Sequence, residues 1–173
     1  IYEDDCLLVL NKPSGLLSVP GRLAEHADSL ASRAQSKYPD AITVHRLDME
    51  TSGVMVMARG KIVHRNLSRQ FQDRETQKTY IARVDGMVGQ DEGLVDLPLI
   101  CDWPNRPRQM VDHDVGKPSQ TKWRVLSRAP GETRLELTPI TGRSHQLRVH
   151  CMEIGHAILG DGFYATGDAA LRV

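Results

Sequence analysis

The sequence has few cysteines, no excess of charge of either sign and no long apolar run. Its three cysteines, Cys6, Cys101 and Cys151, are scattered and odd in number. Such a set forms neither a disulfide framework nor a zinc ribbon, and it fits a reducing cytoplasm. No segment approaches the roughly 18 consecutive apolar residues of a membrane-spanning helix, and no signal peptide is visible. Internal repeats, low-complexity runs and linkers are also missing, so the 173 residues are expected to form one domain around one core. The 22 Lys and Arg are balanced by 22 Asp and Glu. That balance counts against nucleic-acid binding unless the charges are unevenly placed, and they are. Residues 59–83 hold Arg59, Lys61, Arg65, Arg69, Arg74, Lys78 and Arg83 against Asp73 and Glu75. Residues 85–102 hold Asp85, Asp91, Glu92, Asp96 and Asp102 and no Lys or Arg. One basic face beside an acidic edge suits a protein that lays RNA on one side; the plainer use of such charges is to solvate a helix face.

Apolar periodicity supplies the elements. Cys6 to Leu10 reads as a strand and Asn11 to Gly15 as a turn. Lys12 in that turn is a phosphate contact or a solvated lysine. Asp28 or Ser29 caps a helix running to about Tyr38, with Leu30 and Ala34 on its apolar stripe. Lys61 to Arg74 reads as a helix with Val63, Leu67 and Phe71 on its buried face and Arg65 and Arg69 on another. Strands are expected over Gln77–Val88, Leu94–Ile100, Lys122–Leu126 and Leu135–Leu137. Between them Trp103 to Arg108 is an irregular loop, where Trp103, Arg106 and Arg108 fit unpaired bases by stacking and charge. A last helix runs from about Ser144 to Ile154, ended by Gly155, with Leu147, Cys151 and Ile154 as its buried stripe and Arg148 on a different side. Many strands with few helices define an α+β domain with a mostly antiparallel sheet.

The centre of the chain is His45-Arg46-Leu47-Asp48-Met49-Glu50-Thr51-Ser52-Gly53, set between the apolar runs Ala41 to Val44 and Val54 to Ala58. A polar, Gly-ended segment between two β-branched runs reads as strand, loop, strand. Such a loop presents a reactive group in a fixed place. Its Asp48, near Arg46, has the neighbour that keeps a carboxylate ionised for nucleophilic work. By residue type alone, an Asp in a Thr/Ser/Gly-rich loop is as readily a turn former or helix cap.

The full string resembles the active-site loop of the RluA-type pseudouridine synthases. So do Asn11-Lys12-Pro13-Ser14-Gly15, Lys78-Thr79-Tyr80, Thr141 to His150, and Gly160-Asp161 followed by Tyr164, in the family's order. Leu94 to Arg106 is similar to the subgroup that modifies hairpin-loop uridines in both 23S ribosomal RNA and the tRNA anticodon arm. The resemblance implies a mixed, mainly antiparallel sheet with a central cleft, and one catalytic domain over residues 1–173 without a separate S4-like domain. The start at Ile1, without Met, and the stop after Ala169-Ala170-Leu171-Arg172-Val173, where the family continues into further strands, lead to the expectation of a piece of a longer protein.

The implied reaction converts uridine to pseudouridine and needs no redox change, metal or cofactor. Asp48 would be the nucleophile, at the sugar C1′ or the ring C6; the sequence leaves both open. Arg148 would pair with it and hold it ionised. Tyr80 would stack on the target base and assist the proton transfer. The uridine must leave its stack to react, and Arg46 would fill the gap, unless it forms a salt bridge with Glu50 or Asp48. His45, Arg65, Arg69, Arg106, Arg108 and Arg143 complete the RNA-contacting set, with Ile140, Leu159 and Val149 as the apolar wall. The expected partner is a structured RNA hairpin, ribosomal or transfer, bound by a monomer in the cytoplasm. Four other readings touch parts of this pattern. A kinase would need His-Arg-Asp and a Gly-rich phosphate loop, and neither is present. A metal hydrolase would want His145 and His150 on one helix face, but they lie five apart. A glycosidase would pair Asp48 with Glu50, two residues away on the same side of a strand-like loop. An RNA-binding module without catalysis has no use for a carboxylate facing an anionic ligand.

Overall fold

A computed structural model describes residues 1–172. The chain divides into two compact units, Ile1–Thr76 and a second beginning at Gln77.

The first unit is a four-stranded antiparallel sheet with two helices. Its strands are β1 (Tyr2–Glu3), β2 (Leu7–Lys12), β3 (Ala41–Thr43) and β4 (Gly53–Arg59), in the order β1-β2-β4-β3. Alternation along β4 buries Met55 and Met57 and turns Val54 outward, as a period of two requires. Leu8, Ala31, Ala41 and Met57 form one buried cluster; Leu16, Leu30 and Met55 form another, with Leu10 packing against both. Helix α1 (Leu30–Lys37) starts at Ser29, whose hydroxyl and that of Ser32 satisfy each other's backbone N–H groups in a capping box. Asp28 makes a two-pronged pair with Arg33 instead of capping. Helix α2 (Gly60–Gln72) has the expected polarity, with one difference: Val63, Leu67 and Phe71 are half-buried and no residue of the helix is fully buried. Lys12 departs from expectation entirely. It ends β2, 0% exposed, where its ammonium bonds protein carbonyls and reaches neither solvent nor phosphate.

The second unit holds β5 (Tyr80–Asp85), β6 (Glu92–Asp96), β7 (Leu99–Cys101), β8 (Gln109–Val111), β9 (Gln120–Ala129) and β10 (Glu132–Pro139). An antiparallel sheet runs β5-β10-β9-β6, and β7 and β8 form a separate two-stranded ribbon. Helices α3 (Gln146–Glu153) and α4 (Asp168–Leu171) follow. Every described strand pairing is antiparallel, so the α+β class stands. Ala82, Val84, Val95, Trp123, Leu135, Leu137 and Cys151 build the core. Gly93 lies opposite Trp123 on the neighbouring strand, and a Cβ there would sit 2.6 Å from the indole; the glycine makes room for the ring.

Several boundaries differ from the sequence pattern. The strand expected over Leu94–Ile100 is two strands, broken at Leu97-Pro98, since Pro98 has no N–H for a ladder. The strand expected from Gln77 to Val88 is confined to β5, because Gly86 turns the chain at φ 74. The last helix begins two residues later than expected, at Gln146, because His145 takes the left-handed conformation at φ 52. Its buried surface is also wider: Leu147, Cys151 and Ile154 face the main core, whereas Val149 and Met152 pack with Leu99 and Tyr164.

Candidate active site

In the first unit, the Asp48 loop leaves β3 after Thr43 and rejoins the sheet at Gly53. Its backbone is fixed on both sides of Asp48. Leu47 packs into the cluster of Leu16, Leu30 and Met55. The Ser18 hydroxyl accepts from Leu47 N–H at 3.0 Å and donates to its carbonyl at 2.6 Å. On the other side, the Met49 carbonyl accepts from Lys12 Nζ at 2.8 Å and from Gly15 N–H at 3.0 Å. The Ser14 hydroxyl donates to the Glu50 carbonyl at 2.8 Å. Gly15 holds φ at +79°, a conformation unfavourable for a residue with a Cβ, and this aims its N–H at Met49. The Asn11–Gly15 motif and Ser18 are therefore the clamp of the Asp48 loop.

Lys12 also donates to the Leu16 carbonyl at 2.6 Å and the Pro13 carbonyl at 3.0 Å, so each of its three N–H bonds has an acceptor. Burial lowers the pKa of this ammonium below the usual lysine value, while Glu50 and Asp48 pull it back upward. It is a buried cation behind a carboxylate-bearing loop.

His45 serves the same scaffold. Its ring stacks on Phe71 of α2 at 4.6 Å, and its Nε2 accepts from the Val56 N–H at 3.0 Å. That N–H belongs to β4 just beyond the last β3 rung, Thr43 with Met57, so the imidazole continues where the strand stops. Arg46 is exposed and forms no ion pair with a described carboxylate. Arg65 and Arg69 lie with Lys61 and His64 on one side of α2.

The second unit holds Tyr80, Arg106, Arg108, Arg143 and Arg148. Tyr80 begins β5, opposite Leu137, and packs half-buried against the main core. Arg148, near the start of α3, is gripped side-on by Asp161: Nε to Oδ2 and Nη2 to Oδ1, both 2.7 Å. Its guanidinium lies 5.2 Å from the Phe163 ring centre and 5.1 Å from that of Tyr164. Arg108 stacks on the same Tyr164 at 5.3 Å. The Tyr164 hydroxyl accepts from Gln109 N–H at 2.7 Å and lies 2.7 Å from His145 Nδ1. Arg106 stacks on the exposed Trp103 at 4.5 Å. Arg143 projects into solvent at the turn before α3.

The start of α3 is fixed by Gln146, 3% exposed. Its amide oxygen accepts from Thr141 Oγ1 and Arg143 N–H, and its Nε2 donates to the Gln120 carbonyl and Thr121 Oγ1. Thr121 in turn meets His150 Nδ1 at 2.9 Å, and His150 Nε2 bonds the Leu97 carbonyl at 3.1 Å. Burial lowers the His150 pKa. Val149, expected in the wall around the base, is 0% exposed and belongs to the core. Among the described residues no three His, Cys, Asp or Glu side chains converge as a metal-binding group, and no helix is long and apolar enough to cross a membrane. Asp161, Gln146 and Ser18 were not singled out by residue type; Asp161 and Gln146 lie in strings that match the family's motifs, Gly160-Asp161 and Thr141 to His150, and Ser18 lies in none.

The arginines fall into two sets. Arg33, Arg59, Arg83, Arg124, Arg128, Arg148 and Arg172 all sit in ion pairs. The six other arginines expected to meet RNA, Arg46, Arg65, Arg69, Arg106, Arg108 and Arg143, pair with no described carboxylate.

A carboxylate on a clamped loop, with this sheet order and these motifs, defines a class. The sequence profile of the RNA pseudouridylate synthase family matches residues 6–153. The chain belongs to that family, and its enzyme class is isomerase. It is 61% identical over 170 residues to the dual-specificity RNA pseudouridine synthase RluA of Yersinia pestis, covering 98% of this chain and 82% of that protein. Identity to the Escherichia coli K12 protein of the same name is 60% over 170 residues, covering 78% of its length. Among solved structures, human RNA Pseudouridylate Synthase Domain Containing 1 matches 98% of this chain and 70% of its own with a TM-score of 0.82 at 27% identity. Human RNA Pseudouridylate Synthase Domain Containing 4 gives 0.77 at 31%, covering 98% and 69%.

Proposed function

We propose that this chain isomerises uridine to pseudouridine in hairpin loops of both ribosomal and transfer RNA. The observation that carries the reading is the Asp48 loop, fixed at Leu47, Met49 and Glu50 by the Lys12–Ser18 segment. Binding alone has no need of a carboxylate held so rigidly toward an anionic polymer. The identity to dual-specificity synthases over 98% of the chain supports the substrate pair.

In the proposed reaction, the bond from N1 of the base to C1′ of the ribose breaks, the base turns, and C5 bonds to C1′. C5 gives up its proton and N1 gains one, so nothing is oxidised and no other reactant is consumed. Asp48 is the nucleophile. Arg148 is the cation that serves it, and Tyr80 stacks on the base and assists the proton transfer. The target uridine is flipped out of its stack, with Arg46 taking its place. His45 contributes by fixing the loop. The unpaired arginines Arg65, Arg69, Arg106, Arg108 and Arg143 track phosphates and stack on bases, so a chain with no net charge still presents positive charge to RNA. The enzyme works as a monomer in the cytoplasm.

Carbodiimide labelling of treated RNA, followed by primer extension, tests the substrate claim. New stops in both a ribosomal and an anticodon-arm hairpin are expected; a stop in one alone would reduce the reading to single specificity.

A further inference from the structure

We propose that Asp161 is a positioning residue for Arg148: its buried carboxylate fixes the orientation of the guanidinium and thereby sets turnover. This rests on the role given to Arg148 above.

The Asp161 side chain is 3% exposed and that of Arg148 16%. The carboxylate is itself held, because Oδ1 also accepts from Phe163 N–H at 2.9 Å and Tyr164 N–H at 3.2 Å. The backbone around it is closed by Asp161 N–H to Ile158 O and Ala165 N–H to Asp161 O. Burial works to raise the Asp161 pKa, but the Arg148 hydrogen bonds and charge and the two N–H groups hold it below the usual carboxylate range. The anion is thus a rigid fixture, and the guanidinium docks on it through Nε and Nη2, two of its five N–H donors. Phe163 and Tyr164 flank the guanidinium. Side-on docking fixes the plane of an arginine as a single contact would not.

Stability alone gives a weak reason for this pair. A buried ion pair often contributes no more than apolar residues of the same volume would, and apolar packing is at hand in Val149, Leu99 and Tyr164. What the pair supplies, and leucines would not, is a set direction for a cation whose misplacement by about 1 Å can cost on the order of 100-fold in rate.

Asp161→Asn tests this. The amide keeps the volume and an acceptor for Phe163 and Tyr164, but loses the charge and the two-pronged grip. The expected result is a kcat about 100-fold lower, KM for an RNA hairpin within about two-fold, and an unchanged far-UV spectrum. By NMR, Arg148 Nε–H exchange with water should be at least about ten-fold faster than in the wild type. Unchanged kcat per folded molecule, with only a lower melting temperature, would overturn the proposal and leave Asp161 as a staple for the 161–165 turn. Should Asp161→Asn fail to fold, Asp161→Glu keeps the charge and displaces it by one methylene; wild-type kcat there would equally overturn it. A wild type with no turnover would sink the proposed function, and the exchange measurement would still decide whether Asp161 fixes Arg148.

Discussion

The two units hold their key residues in opposite ways. Around Asp48 the supports bond to the backbone of the neighbours, Leu47, Met49 and Glu50. Around Arg148 the support bonds to the side chain itself, through Asp161. The chemistry of the two residues accounts for the difference. A short Asp side chain has two torsions, so fixing the loop nearly fixes the carboxylate. A long Arg has many rotamers, and only a partner at its tip removes them. The supports differ in kind as well: four residues, Lys12, Ser14, Gly15 and Ser18, bond the backbone of the loop, whereas Asp161 grips the guanidinium of Arg148 and Phe163 and Tyr164 flank it.

The largest effect that sharpens this comparison is Arg148→Lys. The charge remains but the side-on geometry does not, and a kcat loss of about 100-fold or more is expected in a tritium-release assay. A loss under about five-fold would mean that orientation counts for little.

Lys12→Met should act on stability more than on rate. Three carbonyls lose a charged donor, at a cost of about 2–4 kcal/mol, read as a lower urea midpoint. Turnover per folded molecule should stay within about ten-fold, since Ser14, Gly15, Ser18 and Leu47 still hold the loop. A rate that collapsed with the fold intact would make Lys12 part of the chemistry.

Arg65→Ala with Arg69→Ala probes the unpaired arginines. RNA affinity should fall, and the slope of log affinity against log salt should lessen by about 1.4 to 1.8, the value for two phosphate contacts. Arg83→Ala, which removes an arginine already paired with Glu132, is the control and should leave the slope unchanged. Equal slopes for both variants would dissolve the distinction between the paired and unpaired sets.

The smallest effect is one of pH. His150 is buried neutral and its folded pKa is depressed, so the unfolded chain takes up its proton first. Its contribution is complete above the unfolded value of about 6.5 and is lost as pH falls toward the folded one. Urea midpoints from pH 7.5 to 5 should drop more for the wild type than for His150→Gln.

Much of this was legible in the chain. The β4 strand, a helix cap at Asp28 or Ser29 and the stripe on α2 follow from local pattern, and the loop between β3 and β4 from two apolar runs around a polar, Gly-ended one; which face of β4 is buried does not, because Val54 to Ala58 is apolar throughout. What stayed hidden was anything set by distant partners. Lys12 reads as a turn lysine because its acceptor at Met49 is 37 residues away. Asp161 reads only as part of a Gly-Asp motif, because its partner Arg148 lies in the preceding helix. Gln146 looks ordinary at a helix start until β9 is packed beside it. Long-range hydrogen bonds leave no periodic trace, and the sequence motifs mark such positions without saying what each does.

The most direct measurement is tritium release from an RNA hairpin labelled at uridine C5, with wild type and Asp48→Asn side by side and binding measured on the same samples. Each turnover replaces the C5 hydrogen by a carbon bond and so frees one label to water. The account predicts release by the wild type, at least about a 1000-fold lower rate for Asp48→Asn, and hairpin affinity within a few-fold for both. Release by Asp48→Asn at a rate near wild type would contradict it.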